Sequence, residues 1–402
     1  MISVAEAIAK VKSGFSLLAQ EQVSLENALG RVLANDLTSR LSHPPVAVSA
    51  MDGYAVRAED VKTVPVTLKQ IGLSQAGGGF PGTVGVGETV RIFTGAPLPS
   101  GADSIVMQEN TERKDNVITV LKSVTAGKFV RPKGLDFSEG DVLLEKGRVL
   151  SARDLGLAAA MNYPWLCVRR RPRVAIVATG DEVVMPGESM ASSQIVSSNS
   201  IAVAGYIKAL GGEALNLGIA KDTPEHLAET LTGAKGADLL VTIGGASVGD
   251  FDFVREVTDE NEVGFYKIAM RPGKPLIFGQ VGTTPLLGLP GNPVSAGVTS
   301  FLYMKTAFDV MLGTGDGERP LMSALSGIDL AENDQRQDYL RAMLATNGDG
   351  DLIATPFQGQ DSSMMARFAA ADCLIVRPPH AQAVKKGEKI QIITFPDGLM
   401  RF

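Results

Sequence analysis

A chain of 402 residues exceeds one ordinary domain of roughly 100 to 200 residues, so several separate cores are expected. Hydrophobic residues at 45% and charged residues at 20% exclude wholesale disorder. With 38 Lys and Arg against 44 Asp and Glu, the net charge of −6 excludes a nucleic-acid binder that relies on a broad basic field, while small anions remain plausible ligands.

Ser3 and Glu6 form a capping-box pattern ahead of an amphipathic helix, and a second helical pattern runs from Ser24 to Ala34. The N-terminus lacks a basic segment followed by an apolar one, and no apolar run approaches the roughly 18 residues of a membrane span, so a cytoplasmic protein is expected. From Pro44 to Asp136, short Val- and Ile-rich runs separated by Gly and Pro predict a small β-domain. Helical composition returns over 151–170, and Arg169-Arg170-Arg171-Pro172 marks a boundary. Cys167 and Cys373 stand far apart with no Cys or His at metal-ligand spacing, so both read as buried thiols in a reducing compartment.

Beyond that boundary strands and helices alternate. The predicted order is strand Val174 to Ala178, helix Ile201 to Leu210, strand Ala214 to Ile219, helix Pro224 to Thr232 and strand Leu239 to Ile243, then strand Leu286 to Leu289 and helix Pro293 to Met311. Such alternation predicts a doubly wound parallel sheet over 171–320. Runs at Asp351 to Ala354, Cys373 to Val376 and Lys389 to Ile393 predict a terminal β-rich domain over 321–402. The expected class is multidomain α/β and β.

In open α/β sheets ligands gather beyond the carboxyl ends of the strands. Four predicted strands run there into Thr179-Gly180-Asp181-Glu182, Lys221-Asp222-Thr223, Gly244 to Asp252, and Pro290-Gly291-Asn292-Pro293. Any one of these is equally well an ordinary turn; four at one sheet edge favour a site. Gly244, Gly245, Ser247 and Gly249 have the composition of a loop whose amides and hydroxyl meet a phosphate or a pterin. Asn292 suits an N-cap with Pro293 at the first helical position, which directs a helix N-terminus at an anion. Lys267, Arg271 and Lys274 add cations, and Glu182, Asp222, Asp250 and Asp252 suit Mg²⁺, which prefers oxygen ligands and substrate phosphates. His43, His226 and His380 lack a catalytic setting.

Ser-Ala-Met-Asp-Gly-Tyr-Ala at 49–55, Thr-Gly-Ala-Pro at 94–97 and Thr-Gly-Asp-Glu at 179–182 resemble the molybdopterin molybdenumtransferases, the MoeA and gephyrin E-domain family. Gly-Gly-Ala-Ser-Val-Gly, Arg-Pro-Gly-Lys-Pro and Leu-Pro-Gly-Asn-Pro-Val-Ser follow in the family's order, with Arg271 where Lys is common. The resemblance implies a helical N-terminal and linking region over 1–45 plus 138–170, a β-rich domain over 46–137, a molybdopterin-binding α/β domain over 171–320 and a β-barrel-like domain over 321–402. It implies a transferase that inserts molybdate into adenylylated molybdopterin with Mg²⁺-assisted release of AMP, and a homodimer with a composite site. The substrate would be handed over by an adenylyltransferase partner. Carried over residue by residue, the acidic and hydroxyl positions are Asp52, Thr94, Asp136, Glu182, Asp222 and Asp252, and the basic ones Lys267, Arg271, Lys274 and Arg341, with Ser295 and Ser362 as further anion contacts. An adenylyltransferase sharing the α/β domain, and a non-catalytic scaffold of the same fold, are the competing readings.

Overall fold

The opening helix forms where its cap is written: over Val4–Ser13, the Ser3 hydroxyl accepts from the Glu6 amide at 3.2 Å while the Glu6 carboxylate accepts from the Ser3 amide at 2.7 Å. The second helical pattern does not form. Residues Gln20–Ser24 are a strand paired with Trp165–Arg169, followed by a single turn over Leu25–Asn27. Gly30, with φ of 71°, lies in the left-handed region and ends any helical continuation. Around it tertiary pairing overrides local propensity, and the region 138–170 contains one helix, Ala152–Ala160.

The computed structural model describes residues 1–244, 265–315 and 319–395. One unit comprises Gln22–Leu29 and Leu33–Cys167; the other comprises Met1–Glu21, Gly30–Val32 and the chain from Val168 onward. The first contains a six-stranded sheet in the order Ser104–Met107, Gly53–Val56, Glu88–Ile92, Val66–Ser74, Val117–Val120, Thr111–Lys114. Both faces are covered: Tyr54, Val56, Val106 and Ile118 pack on one side, and Ala55, Val90, Ile92 and Ile105 on the other. Period-two alternation along each strand delivers both sets.

In the second unit, the central sheet runs Glu213–Ala220, Arg173–Thr179, Leu239–Ile243, Thr284–Leu289, Pro275–Val281, Phe265–Lys267. The four expected strands are parallel, and two further strands that the sequence did not announce extend the sheet at one edge, each antiparallel to its neighbour. Val174 and Ile176 join one core with Val203, Ile207 and Phe308, and Ala175 and Val177 join another with Leu227 and Leu240. Helices thus cover both faces, which is why these strands read as unbroken apolar runs. Arg170 donates to the Asp238 carboxylate at 2.7 and 2.6 Å, tying the arginine-rich boundary to the residue before strand Leu239–Ile243. A continuous helical stretch follows the sheet, Pro293–Thr299, a π-helical turn Ser300–Met304 and Lys305–Leu312.

The terminal domain is a closed barrel in the order Gln337–Thr346, Leu352–Pro356, Met322–Ser326, Lys389–Thr394, Cys373–Arg377, closing back onto Gln337–Thr346. Met270–Arg271, from the α/β segment, joins it in parallel and sets Arg271 beside Asp338. The longest strand, Gln337–Thr346, carries charged residues into the barrel wall and was not legible as a strand. Cys373 is buried and its thiol is pushed up to about 12 by that burial, whereas Cys167 is only partly buried. Among the described residues no helix is long and apolar enough to cross a membrane.

Candidate active site

Because strands Arg173–Thr179, Glu213–Ala220, Leu239–Ile243 and Thr284–Leu289 are parallel, their exits lie along one edge of the sheet. A cavity of about 840 Å³ opens there, within the size of small-molecule sites. Thr179, Glu182, Asp222, Gly244, Asn292 and Ser295 line it from the α/β side, and Gln360, Asp361 and Ser362 from the barrel side. The exits hold one another. The Asp222 carboxylate accepts from the Asp181 amide at 3.3 Å, and the Asp181 carboxylate from the Asp222 amide at 3.4 Å. Gly244 has φ of 89°, and a Cβ there would stand 2.9 Å from the Thr179 carbonyl oxygen, so this exit requires glycine.

Asn292 does occupy the N-cap with Pro293 next, but its side chain makes no capping bond; its amide donates instead to the Ser362 hydroxyl at 2.7 Å. The Val294 amide donates to the Ser362 carbonyl at 3.0 Å, so the first helical turn is joined to the barrel-side loop at two points. Ser295 is buried on the same turn.

Behind that loop sits Arg341, 1% exposed. Its amide donates to the Gln360 side-chain carbonyl at 2.9 Å, the Gln360 amide group donates back to the Arg341 carbonyl at 3.0 Å, and its guanidinium donates to the Asp361 carbonyl at 2.9 Å. Its Nε has no hydrogen-bond partner among the described residues. Burial lowers its pKa from the usual value, with the Asp361 carboxylate opposing; a guanidinium stays charged under such conditions. Arg341 itself does not line the cavity; it braces the residues that do.

Arg271 and Lys274 line the cavity, but Arg271 is already partnered. Its Nε donates to Asp338 at 2.9 Å, its Nη2 to the other Asp338 oxygen, and its Nη1 to Asp334 at 3.5 Å. Lys267 is exposed and does not line the cavity, so the fold brings two of the three expected cations to it. Gly245, Ser247, Gly249, Asp250 and Asp252 lie outside the described residues. Among the described residues no three metal-ligating side chains gather, and Glu182 and Asp222 are the two expected carboxylates that share the cavity. Two carboxylates with substrate phosphates and water meet the ordinary coordination habit of Mg²⁺.

Asp52, Thr94 and Asp136 belong to the other unit. The Asp52 carboxylate accepts from the Thr94 amide at 2.7 Å and the Thr94 hydroxyl at 2.8 Å, and these bonds hold its pKa below the ordinary range. Gly53 follows because a Cβ there would stand 2.0 Å from the Val106 carbonyl oxygen. Asp136 is exposed. Sequence reasoning missed Asn199, whose amide donates to the Gly291 carbonyl at 2.6 Å, and also Arg336, Gln360 and Asp361. A helix start and a barrel loop bring these in, and nothing local announces them.

Three family models match the chain in order: the MoeA N-terminal region, domains I and II, over residues 2–162; a probable molybdopterin binding domain over 175–307; and the MoeA C-terminal region, domain IV, over 324–395. A molybdopterin molybdenumtransferase of Nostoc sp. is 36% identical, covering 94% of this chain and 89% of its own length. One of Haemophilus influenzae is 34% identical, covering 93% and 94%. A molybdopterin biosynthesis MoeA crystal structure from Pyrococcus horikoshii superposes with a TM-score of 0.85 at 31% identity, covering 99% of this chain and all of that one.

Proposed function

The chain belongs to the molybdopterin molybdenumtransferase family, a family of transferases that insert molybdenum in molybdenum cofactor biosynthesis, and we propose that its cavity takes adenylylated molybdopterin and molybdate and releases AMP. The observation that carries this is the convergence of four strand exits, an asparagine-headed helix and a serine-bearing barrel loop on one cavity of about 840 Å³. Asn292, Ser362 and Lys274 offer donors to oxyanions, and Arg341 stiffens the loop that presents Ser362. Glu182 and Asp222 would hold Mg²⁺, which supplies charge stabilisation for the departing AMP. No side chain needs to act as a nucleophile: the dithiolene sulfurs would displace an oxygen of molybdate as water, a water molecule would cleave the phosphoanhydride to free AMP, and the protein holds both oxyanions in place.

Asp52, Thr94 and Asp136 are proposed to complete the site from a second copy of the chain, a reading supported by their place in a separate unit and by the hydrogen-bonded turn that fixes Asp52. An adenylyltransferase that delivers the substrate, and a cytoplasmic location, belong to the same proposal. The matches to both the N-terminal and C-terminal regions disfavour the adenylyltransferase alternative, and the intact cavity disfavours a bare scaffold.

The test is to incubate the purified chain with adenylylated molybdopterin, molybdate and Mg²⁺ and follow AMP release and active cofactor. Glu182→Ala and Asp222→Ala are expected to lose turnover while unfolding normally. Adenylation of free molybdopterin without molybdate-dependent AMP release would overturn the assignment.

A further inference from the structure

We infer that His226 is a positioning residue for Asp222, its ring nitrogen Nδ1 holding the strand exit that brings Asp222 to the cavity. The exit is the short segment between strand Glu213–Ala220 and helix Pro224–Leu231. That helix begins where Thr223 caps it: the Thr223 hydroxyl accepts from the His226 amide at 3.3 Å, with proline following in the first turn. Leu227, 1% exposed, anchors the turn in the core that holds Ala175, Val177 and Ala220. The half-buried His226 beside it folds back on the chain ahead of the helix, and its Nδ1 accepts from the Lys221 amide at 3.2 Å.

Lys221 is thereby held at both of its backbone groups. Its amide donates to His226, and its carbonyl accepts from the Thr223 amide at 2.7 Å. The next amide, that of Asp222, donates to the Asp181 carboxylate at 3.4 Å. The bond to Asp181 is long and the one from Thr223 spans only two residues, so neither fixes the exit against the helix; the histidine bond spans five residues and does. The ring is committed to this bond. The Thr230 hydroxyl gives its one proton to the His226 carbonyl at 2.7 Å, which leaves the Lys221 amide as the donor to Nδ1 and the proton of a neutral ring on Nε2. Asp222 lines the cavity with Glu182 and His226 does not, so the histidine acts through Asp222 and never on the substrate. Partners that orient a metal-ligating side chain directly are typically worth about ten- to a hundredfold in affinity. Here backbone intervenes, and the effect of one ordinary hydrogen bond, about three- to tenfold, is expected.

The inference rests on Glu182 and Asp222 holding a divalent cation, and its test needs no turnover. With lysine amides selectively labelled for NMR, the Lys221 amide signal reports the hydrogen bond, and its broadening by Mn²⁺, used in place of Mg²⁺, gives the midpoint of metal binding to the substrate-free chain. Asparagine sets its Oδ1 where Nδ1 stands, glutamine sets its carbonyl one bond farther out, and alanine removes the acceptor. His226→Ala is expected to move the Lys221 amide and raise the Mn²⁺ midpoint about three- to tenfold, His226→Asn to restore both, and His226→Gln to restore neither. A wild-type midpoint in His226→Ala, or the same rise in His226→Asn as in His226→Ala, overturns the inference. So does a wild-type Lys221 amide that Mn²⁺ leaves sharp, whether or not AMP is released. If His226→Ala does not fold, His226→Gln against His226→Asn decides. Shifted midpoints without molybdate-dependent AMP release would sink the functional reading and leave the positioning role standing.

Discussion

Cutting the Arg271–Asp338 pair from its two ends should have unequal consequences. Asp338 presents 6% of its side chain to solvent and Arg271 47%, so each truncation leaves a different survivor. Arg271→Ala strands a buried carboxylate, a kind of loss that typically costs about 3–5 kcal/mol. Arg377, which pairs with Asp338 in register and is buried beside it, offsets part of that, and an effect of about 2 kcal/mol remains. Asp338→Asn leaves a half-exposed Arg271 guanidinium that water can solvate and a buried Arg377 that keeps its bonds to the Ala331 and Gln382 carbonyls, and the asparagine carbonyl still accepts one bond, so about 1 kcal/mol is expected. Hydrogen exchange of peptides covering Gln337–Thr346, followed in urea, reads the correct element. Guanidinium chloride would screen the pair, and the single tryptophan, Trp165, reports on the other unit. If Asp338→Asn proves as destabilising as Arg271→Ala, burial is not what sets the energetics of this pair.

Mixing Glu182→Ala chains with Asp52→Ala chains should restore about a quarter of wild-type AMP release if each site draws on both copies of a dimer, because half the dimers are mixed and each mixed dimer has one intact site; no recovery after subunit exchange would count against a shared site. Thr94→Val removes one of the two hydrogen bonds that depress the Asp52 pKa, and an NMR titration of Asp52 should move upward towards the ordinary value. The sign follows from linkage: a depressed carboxylate contributes stability above its unfolded pKa and loses it as pH falls through the folded one, so the wild type should retain this contribution to lower pH than the variant. Gly244→Ala should lower the midpoint of unfolding by the equivalent of about 1–3 kcal/mol, since the position combines φ of 89° with a Cβ 2.9 Å from a carbonyl oxygen. An unchanged thermal midpoint would show that the exit relaxes freely. Phe308→Ala, truncating a side chain 1% exposed in the main core, should cost about 3–5 kcal/mol in urea unfolding.

Much of the α/β domain was legible because its strands are buried on both faces. Leu239–Ile243 ends where its apolar run ends, and Glu213–Ala220 and Thr284–Leu289 extend the expected strands by one or two residues. What stayed hidden depends on distant partners. Pro275–Val281 begins at a proline in a segment that reads as ligand chemistry, and only pairing with Thr284–Leu289 makes it a strand. The pattern from Ser24 to Ala34 satisfies helical spacing, yet Gly30 and pairing with Trp165–Arg169 decide otherwise. The strand exits of the site were legible for the same reason as the strands. Arg336, Gln360 and Asp361 were not, since barrel closure between Gln337–Thr346 and Cys373–Arg377 is what carries them to the cavity.

A two-residue strand explains how two domains of different construction share that cavity. Met270–Arg271 leaves the α/β sheet and runs parallel to the start of Gln337–Thr346, with Arg271 opposite Asp338. A two-residue strand supplies few backbone hydrogen bonds, so side chains must hold its register. The Arg271 guanidinium does so with two bonds to one buried carboxylate, a geometry that lysine cannot reproduce. Asn292 to Ser362 and Val294 to Ser362 close the opposite side of the cavity in the same way. The positions of Ser362 and Arg336 relative to the strand exits are therefore set by polar contacts as well as by the shared core that includes Phe301, Tyr339 and Leu374. A substitution at Arg271 is consequently expected both to remove a cation from the cavity and to loosen the placement of the barrel wall, and comparison with Asp338→Asn separates the two effects.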